Sequence, residues 1–285
     1  MLIDSPSNPT VKALRALAGG SRQRREAGLF LAEGVRVVTD GLEAGSVPQM
    51  CLYDPVVLEK TERGRTLVAR LQALARSEQG RVFEATPRAI AAAADTQHPQ
   101  GVVAAFPILT WPIAQPAGTS ALALLCDDIQ DPGNLGTILR TAEASGVAAV
   151  WLTERCVDLY GPKVVRAAMG AHFRLPAYPD AVWSDIEVGL EVLGIEATGI
   201  YAADPDAALT YDQANWTTPS ALIVSNEAHG LSDEARRLAS RGGGLISIPM
   251  YGGTESLNAA IATAVILFEA ARQRRNVSHA ASEHV

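Results

Sequence analysis

An α/β fold made of two successive units is predicted by three observations. Short apolar runs alternate with amphipathic stretches along the chain, which is the pattern of strands alternating with helices. A segment with three prolines, 107–120, interrupts that alternation. Beyond it, three turns rich in Gly, Asn or Pro each join a strand-like run to a helix-like one, as at ligand-binding sheet edges of α/β proteins.

The elements follow in order. Residues 9–18 have weak helical periodicity, and the polar stretch 22–28 reads as a turn. A strand at 29–32 leads into a helix over 34–45, with Val35, Val38 and Leu42 on one face and a glycine stop at Gly45. Strand 50–53, helix 66–76, strand 81–84, a helix ending near 94 and strand 102–106 complete a small unit over 1–106. The proline-rich 107–120 is then a linker. The second unit, 121–275, reads as strand 121–126, helix 134–145, strand 148–152, helix 161–169, a strand near 174–178, helix 181–193, strands 197–202 and 221–225, helix 232–240, strand 245–248 and a helix over 256–274. In that last helix Leu257, Ile261, Ala264, Val265 and Phe268 form one stripe, expected to face the core. Residues 276–285 are polar and expected to fray. From this pattern alone the second unit is an open doubly wound sheet.

With 285 residues and 48% hydrophobic content the chain can bury a real core. No apolar run reaches about 18 residues, so no membrane span is expected. The N-terminal residues lack the build of a secretory signal, which makes the cytoplasm the expected location. Cys51, Cys126 and Cys156 are too few and too scattered for a disulfide framework or a zinc site, and the five histidines show no ligand spacing. Cys126 reads as a small buried residue on a strand. The net charge of −7 argues against a broad polyanion-binding surface, yet Lys12, Arg15, Arg22, Arg24 and Arg25 face only Asp4 in the first 25 residues, and Arg272, Arg274 and Arg275 cluster near the end. These are either local polyanion patches or solvated faces.

The segment 131–140 reads DPGNLGTILR. Leu135, Ile138, Leu139 and Ala142 share a helical face, which leaves Arg140 on the polar side, and Asn134 stands at the helix start, where it can cap. Asp127, Asp128 and Asp131 admit a metal site, but a strand end and a turn explain them equally, and no metal is expected. The segment 224–231 reads VSNEAHGL: Ser225 and Asn226 leave a strong strand, Glu227 is either a general base or a carboxylate that fixes the loop, and His229 reads as a plain loop residue. The segment 248–258 reads IPMYGGTESLN. Pro249 ends a strand, Gly252 and Gly253 form a loop, Ser256 fits an N-cap and Asn258 the first helical turn, where free N–H groups suit an anion or a polar cofactor edge.

In this order and spacing the three segments resemble the motifs of the SpoU-type (TrmH-type) RNA ribose 2′-O-methyltransferases of the SPOUT superfamily. Pro132, Gly133, Asn134, Gly136 and Arg140 match the first, Asn226, Glu227, Gly230 and Leu231 the second, and Ile248, Pro249, Met250, Gly252 and Ser256 to Asn258 the third. Residues 5–106 more weakly resemble the RNA substrate-binding domain that precedes the catalytic domain in many rRNA-modifying members, through Asn8-Pro9, Lys12 and the FLAEG stretch 30–34. Ser225 departs from the glycine usual in the family, which matters only where a positive φ is needed. The resemblance implies a parallel sheet with a deep trefoil knot, a homodimer, and S-adenosylmethionine held without metal by Ser225, Asn226, Gly230, Ile248, Met250, Ser256 and Leu257. It implies Arg140, Asn134, Glu227 and Asn258 as the catalytic set; Lys12, Arg22, Arg24 and Arg25 of the N-terminal basic cluster are the expected RNA contacts. A guanidinium hardly deprotonates near neutral pH, so Arg140 is read as gripping a phosphate and stabilising the alkoxide rather than as a base. The separate N-terminal unit favours rRNA, 23S rRNA first, over tRNA. A non-catalytic RNA-binding protein of the same fold is the alternative that the retained Asn134, Arg140 and Asn258 argue against. An unrelated nucleotide-binding enzyme with an open sheet is the third reading.

Overall fold

The computed structural model describes residues 2–77, 80–116, 120–226 and 229–282, with side chains described as far as 277. The chain divides into two compact units, one formed by Met1–Thr110 and Asp158–Arg174, the other by Trp111–Val157 and Leu175–Val285. The segment 158–174, expected in the second unit, therefore groups with the first.

The first unit runs β1 (Leu2–Ile3), α1 (Pro9–Gly19), α2 (Ser21–Ala27), β2 (Leu29–Glu33), α3 (Val35–Glu43), β3 (Met50–Tyr53), α4 (Pro55–Leu58), α5 (Glu62–Arg76), β4 (Arg81–Ala85), α6 (Pro87–Ala93) and β5 (Val102–Pro107). Its sheet has the order β1-β4-β3-β5-β2. The β1, β4 and β3 neighbours are parallel, whereas β5 is antiparallel to β3 and β2. Asn8 caps α1 by accepting from Thr10 N at 2.8 Å, and Pro9 fills the first helical turn, where its missing N–H is harmless. One face buries Val11, Leu14 and Leu17 of α1 and Ile90 of α6 against Leu31, Leu52 and Val103. On β2, buried Glu33 accepts from the N–H groups of Asp95 and Thr96 and from the Thr96 hydroxyl, so it ties down the loop after α6. Residues 21–27 form a helix instead of the expected turn. Two features outside its own propensity fix it: Gly28 at φ +63° closes its C-terminus, and Arg24 on its inner face reaches Leu17 O and Asp158.

The second unit runs β6 (Leu122–Asp127), α7 (Pro132–Ala144), β7 (Ala149–Thr153), β8 (Ala177–Ala181), α9 (Trp183–Val192), β9 (Ile200–Ala203), β10 (Leu209–Thr210), β11 (Ser220–Ser225), α10 (Asp233–Ala239), β12 (Gly244–Ser247) and α11 (Ala259–Ser282). The intervening helix α8 (Pro162–Ala168) belongs to the first unit. The seven strands take the order β10-β12-β9-β11-β6-β7-β8, and every pairing is parallel. The central strands β6 and β11 are almost wholly buried, as befits a sheet covered on both faces.

Helix α11 corrects two expectations. It continues to Ser282, so 276–282 is helical. Its core stripe is Ala259, Ala260, Thr263, Ile266, Leu267 and Ala270, whereas Ile261 and Phe268, expected inside, are 51% and 53% exposed. The helix carries apolar residues on two stripes. The one with small residues goes inward because alanines admit the close approach of α7, the helix it packs against. Near its C-terminus Arg274, counted in the sequence as part of a basic patch, instead donates to the carbonyls of Ser120, Ala121, Trp216 and Thr218.

Candidate active site

All three motif segments leave the carboxyl edge of the second sheet. Register pairs Ser225 with Asp127, so the first two exits lie side by side, and β12 delivers the third from beyond β9. Asp127 accepts from Ser232 N at 2.8 Å and thereby anchors the far end of the second motif loop to the first. Ser225 is not at a positive φ, so a side chain there is unstrained where the family usually has glycine.

Asp131, not Asn134, caps α7. Its Oδ1 accepts from Asn134 N at 2.7 Å, and Pro132 follows at the first helical position. The amide side chain of Asn134 is thereby left for another partner and accepts at 3.0 Å from Nδ2 of Asn258. Asn258, not Ser256, caps α11: its Oδ1 accepts from Ala260 N at 3.0 Å and Ile261 N at 3.3 Å. One asparagine thus starts a helix and joins the first motif to the third. Arg140, further along α7, is exposed, and among the described residues it meets no hydrogen-bond or ion-pair partner. Glu227 lies outside the described residues.

Beside this bridge is a cavity of about 280 Å³. Ser225, Asn226, Gly230, Ile248, Met250, Ser256 and Leu257, the seven residues implicated from the sequence, all line it. Val224, Leu231, Ile246 and Ile266 make its apolar wall; Asp204, Asp206, Arg236 and Glu255, which the sequence reading missed, supply charge. Asp204 is buried and forms an ion pair with Arg236 at 2.8 Å. Gly230, at φ +64°, closes the second loop by donating its N–H to Asn226 O at 2.9 Å. Among the described residues the backbone N–H groups of Ile248 and 250–257 meet no protein acceptor, so they can serve a heterocycle edge or a hydroxyl. An apolar slot with unpartnered amides fits an adenine nucleoside such as that of S-adenosylmethionine.

A second cluster stands at the same edge. Asp128 is 5% exposed and adopts φ +57°, a left-handed conformation uncommon outside glycine. Its carboxylate accepts from Gln130 Nε2 at 2.8 Å and from Arg155, and His229 Nδ1 lies 3.9 Å away. Its N–H donates to Thr153 Oγ1. The paired aspartates 127 and 128 were visible in the sequence, but the αL turn that gives them separate tasks was not. Burial pushes the Cys126 and Cys156 thiols up, which removes them as nucleophiles. Among the described residues no group of three or more His, Cys, Asp or Glu can hold a metal.

Of the proposed RNA contacts in the first unit, Lys12, Arg22 and Arg25 are exposed. Arg24 is a correction: it is buried, and its Nη2 donates to Asp158 Oδ2 at 2.5 Å. A guanidinium with an internal carboxylate partner does not present itself to a phosphate.

Residues 121–268 match the model of the SpoU rRNA Methylase family, and residues 8–104 that of the MRM3-like substrate binding domain. Mitochondrial rRNA methyltransferase 3A of Danio rerio is 34% identical, the alignment covering 88% of this chain and 65% of that protein. The 23S rRNA (guanosine(2553)-2′-O)-methyltransferase RlmP of Bacillus subtilis is 30% identical, with 93% and 97% covered. Among solved structures, the AdoMet-bound rRNA methyltransferase of Sinorhizobium meliloti superposes with TM-score 0.81 at 31% identity over 95% of this chain and 97% of that one. The AdoMet complex of the SpoU methyltransferase AviRb of Streptomyces viridochromogenes gives 0.77 at 30%, with 94% and 100% covered.

Proposed function

The chain belongs to the SpoU rRNA methylase family, and on that premise we propose that it transfers a methyl group from S-adenosylmethionine to a ribose 2′-hydroxyl of rRNA, 23S rRNA being the first substrate to test. One observation carries the reading: seven residues from two separate motifs line a single cavity, and the Asn134–Asn258 bridge joins the third motif to the helix that bears Arg140.

When bound, the cofactor supplies a methyl group on a sulfonium, an electrophile needing little further activation. The protein's task is alignment. The free amides of Met250 and of Glu255 to Leu257 and the apolar wall hold the nucleoside. Arg140, with no carboxylate partner among the described residues, grips the phosphate beside the target ribose and stabilises charge on the 2′-oxygen. Asn134 and Asn258 fix the start of Arg140's helix against the cofactor loop, and Glu227 holds the second loop. Lys12, Arg22 and Arg25 on α1 and α2 contact the RNA backbone.

The reading includes the family's trefoil knot, a cytoplasmic location beside the ribosome, and a homodimer. The dimer is favoured by the second stripe of α11, where Ile261 and Phe268 stand half exposed next to Val265. Among the described residues no helix is long and apolar enough to cross a membrane.

The test is to incubate the protein and methyl-labelled S-adenosylmethionine separately with 50S subunits, 23S rRNA transcript and tRNA, then map the labelled ribose. Label in rRNA supports the proposal. Label confined to tRNA overturns the substrate, and no label in any RNA overturns the activity.

A further inference from the structure

Methyl transfer to a hydroxyl releases a proton, and the site must let it go. A guanidinium hardly gives up its proton near neutral pH, so an arginine is a poor acceptor for it. Asp204 in the cavity is bound to Arg236. A carboxylate is in any case a weak match for a hydroxyl proton at neutral pH, whereas imidazole changes charge close to it.

Of the five histidines, His98 and His172 belong to the first unit and His279 and His284 lie near the C-terminus, which leaves His229. His229 sits in the second motif loop between Asn226 and Gly230, both of which line the cavity. Its side chain is 60% exposed, and Nδ1 faces Asp128 Oδ2 at 3.9 Å, a charge contact rather than a hydrogen bond. Asp128 is held from behind by Gln130, Arg155 and Thr153, in a backbone conformation that requires such over-determination. A carboxylate near Nδ1 draws the ring proton to that nitrogen, which leaves Nε2 as the proton acceptor.

We propose that His229, oriented by Asp128, takes the proton of the ribose 2′-hydroxyl, resting this on the family reading above. In the step, the 2′-oxygen bonds to the methyl carbon while the carbon–sulfur bond breaks, its electron pair going to sulfur and leaving the neutral thioether. The hydroxyl proton passes to Nε2 of His229 and from there to water. Among the described residues the charged group that meets the imidazole is Asp128 from the end of β6; Arg155 from the loop after β7 pairs with that same carboxylate, Asp127 is taken by Ser232 N, and Arg236 from α10 lies beside Gly230, the residue after His229.

The test uses the full chain, methyl-labelled S-adenosylmethionine and the RNA that the wild type labels best, in single turnovers from pH 5.5 to 9. His229→Gln is expected to lower the rate at pH 7 by at least about 100-fold, as loss of a general base does. The acid limb of the wild-type profile should vanish in it, while calorimetric affinity for S-adenosylmethionine stays within about twofold. Asp128→Asn should fall between the two with a displaced limb. A His229→Gln rate within about threefold of wild type, an unchanged profile, or a loss that follows cofactor affinity overturns the proposal and leaves the family reading standing. A wild type that labels no RNA, 50S subunits included, overturns both.

Discussion

The side-chain amide of Asn258 donates to that of Asn134 at 3.0 Å, while its oxygen caps the first two N–H groups it meets in α11. One residue thus couples the start of the last helix to the helix of Arg140. The two duties separate by mutation. Asn258→Ser keeps a capping oxygen and loses the bridge; it is expected to melt near the wild type but to lose about tenfold or more in methyl transfer. Asn258→Ala loses the cap as well and should unfold about 1 kcal/mol more easily. Thermal melts and rates with labelled cofactor on both variants check this. Equal rates in Asn258→Ser and wild type would show that the bridge has no part in alignment.

Arg140 is exposed and lacks an internal partner among the described residues, so its removal leaves no buried charge behind. Arg140→Ala should therefore fold normally and bind S-adenosylmethionine within about twofold, while methyl transfer falls by about 10²–10³. Arg140→Lys keeps charge without the planar fork and should recover only a small part. Calorimetry beside single-turnover rates separates the two losses. A parallel drop in affinity would place Arg140 at the cofactor instead.

Much of this site is legible in the sequence because its parts are backbone features. Gly230 marks a left-handed turn, Pro132 a first helical turn, Pro249 the end of a strand, and each restricts φ whatever its neighbours. All seven cofactor candidates converge for that reason. What stayed hidden depends on partners distant in sequence. Arg24 and Arg25 are adjacent and chemically alike, yet Asp158, 134 positions away, buries one of them. Asn134 and Asn258 each look like a cap, and only the fold shows that Asp131 takes over capping in the first case. In α11 two apolar stripes compete, and helix–helix approach decides which is core. The knot came from family resemblance, since strand–helix alternation alone reads as an open sheet.

The basic face of the first unit yields a contrast between neighbours. Lys12→Ala and Arg22→Ala remove exposed charge and should each flatten the salt dependence of RNA binding by about one unit of log–log slope, with little effect on melting. Arg24→Ala instead empties a buried position and strands half-buried Asp158 and the Leu17 carbonyl. It should lower stability by about 3 kcal/mol and change the salt slope only as far as it unfolds the unit. Filter binding of 23S rRNA at several salt concentrations, beside melting curves, discriminates the two classes.

Arg274 is the second internal arginine. Burial pulls its guanidinium down to about 10, and it is held by the carbonyls of Ser120, Ala121, Trp216 and Thr218, which tie the end of α11 to the start of the sheet. Arg274→Ala should destabilise the second unit by about 1–3 kcal/mol, the range for an acceptor left unpaired. Arg272→Ala, which removes a half-exposed guanidinium paired with Glu269 on the same helix, should move the urea midpoint much less. Urea titration of both variants gives the comparison, and similar losses would mean that the carbonyl contacts contribute no more than a surface pair.

His172 makes the stability of the first unit depend on pH. It is buried against Phe30 and Tyr160, its Nε2 bonds Leu159 O at 2.8 Å, and its Nδ1 has no partner among the described residues. Burial lowers its pKa from 6.5 to about 4, so the fold holds the neutral ring and resists protonation. Between those two values the unfolded chain binds a proton that the folded one does not. The stabilisation is therefore complete above pH 6.5 and is lost as pH falls toward 4. From pH 7.5 to 5.5 the loss should be about 1.4 kcal/mol, one unit of the shift. His172→Phe keeps a ring of similar size and removes the proton site; it should unfold more easily at pH 7.5, having lost the Leu159 contact, but its stability should be flatter over the same interval. Urea unfolding at a series of pH values, wild type against variant, measures the difference in slope, and identical slopes would mean that this imidazole is already protonated in the fold or is reached by water.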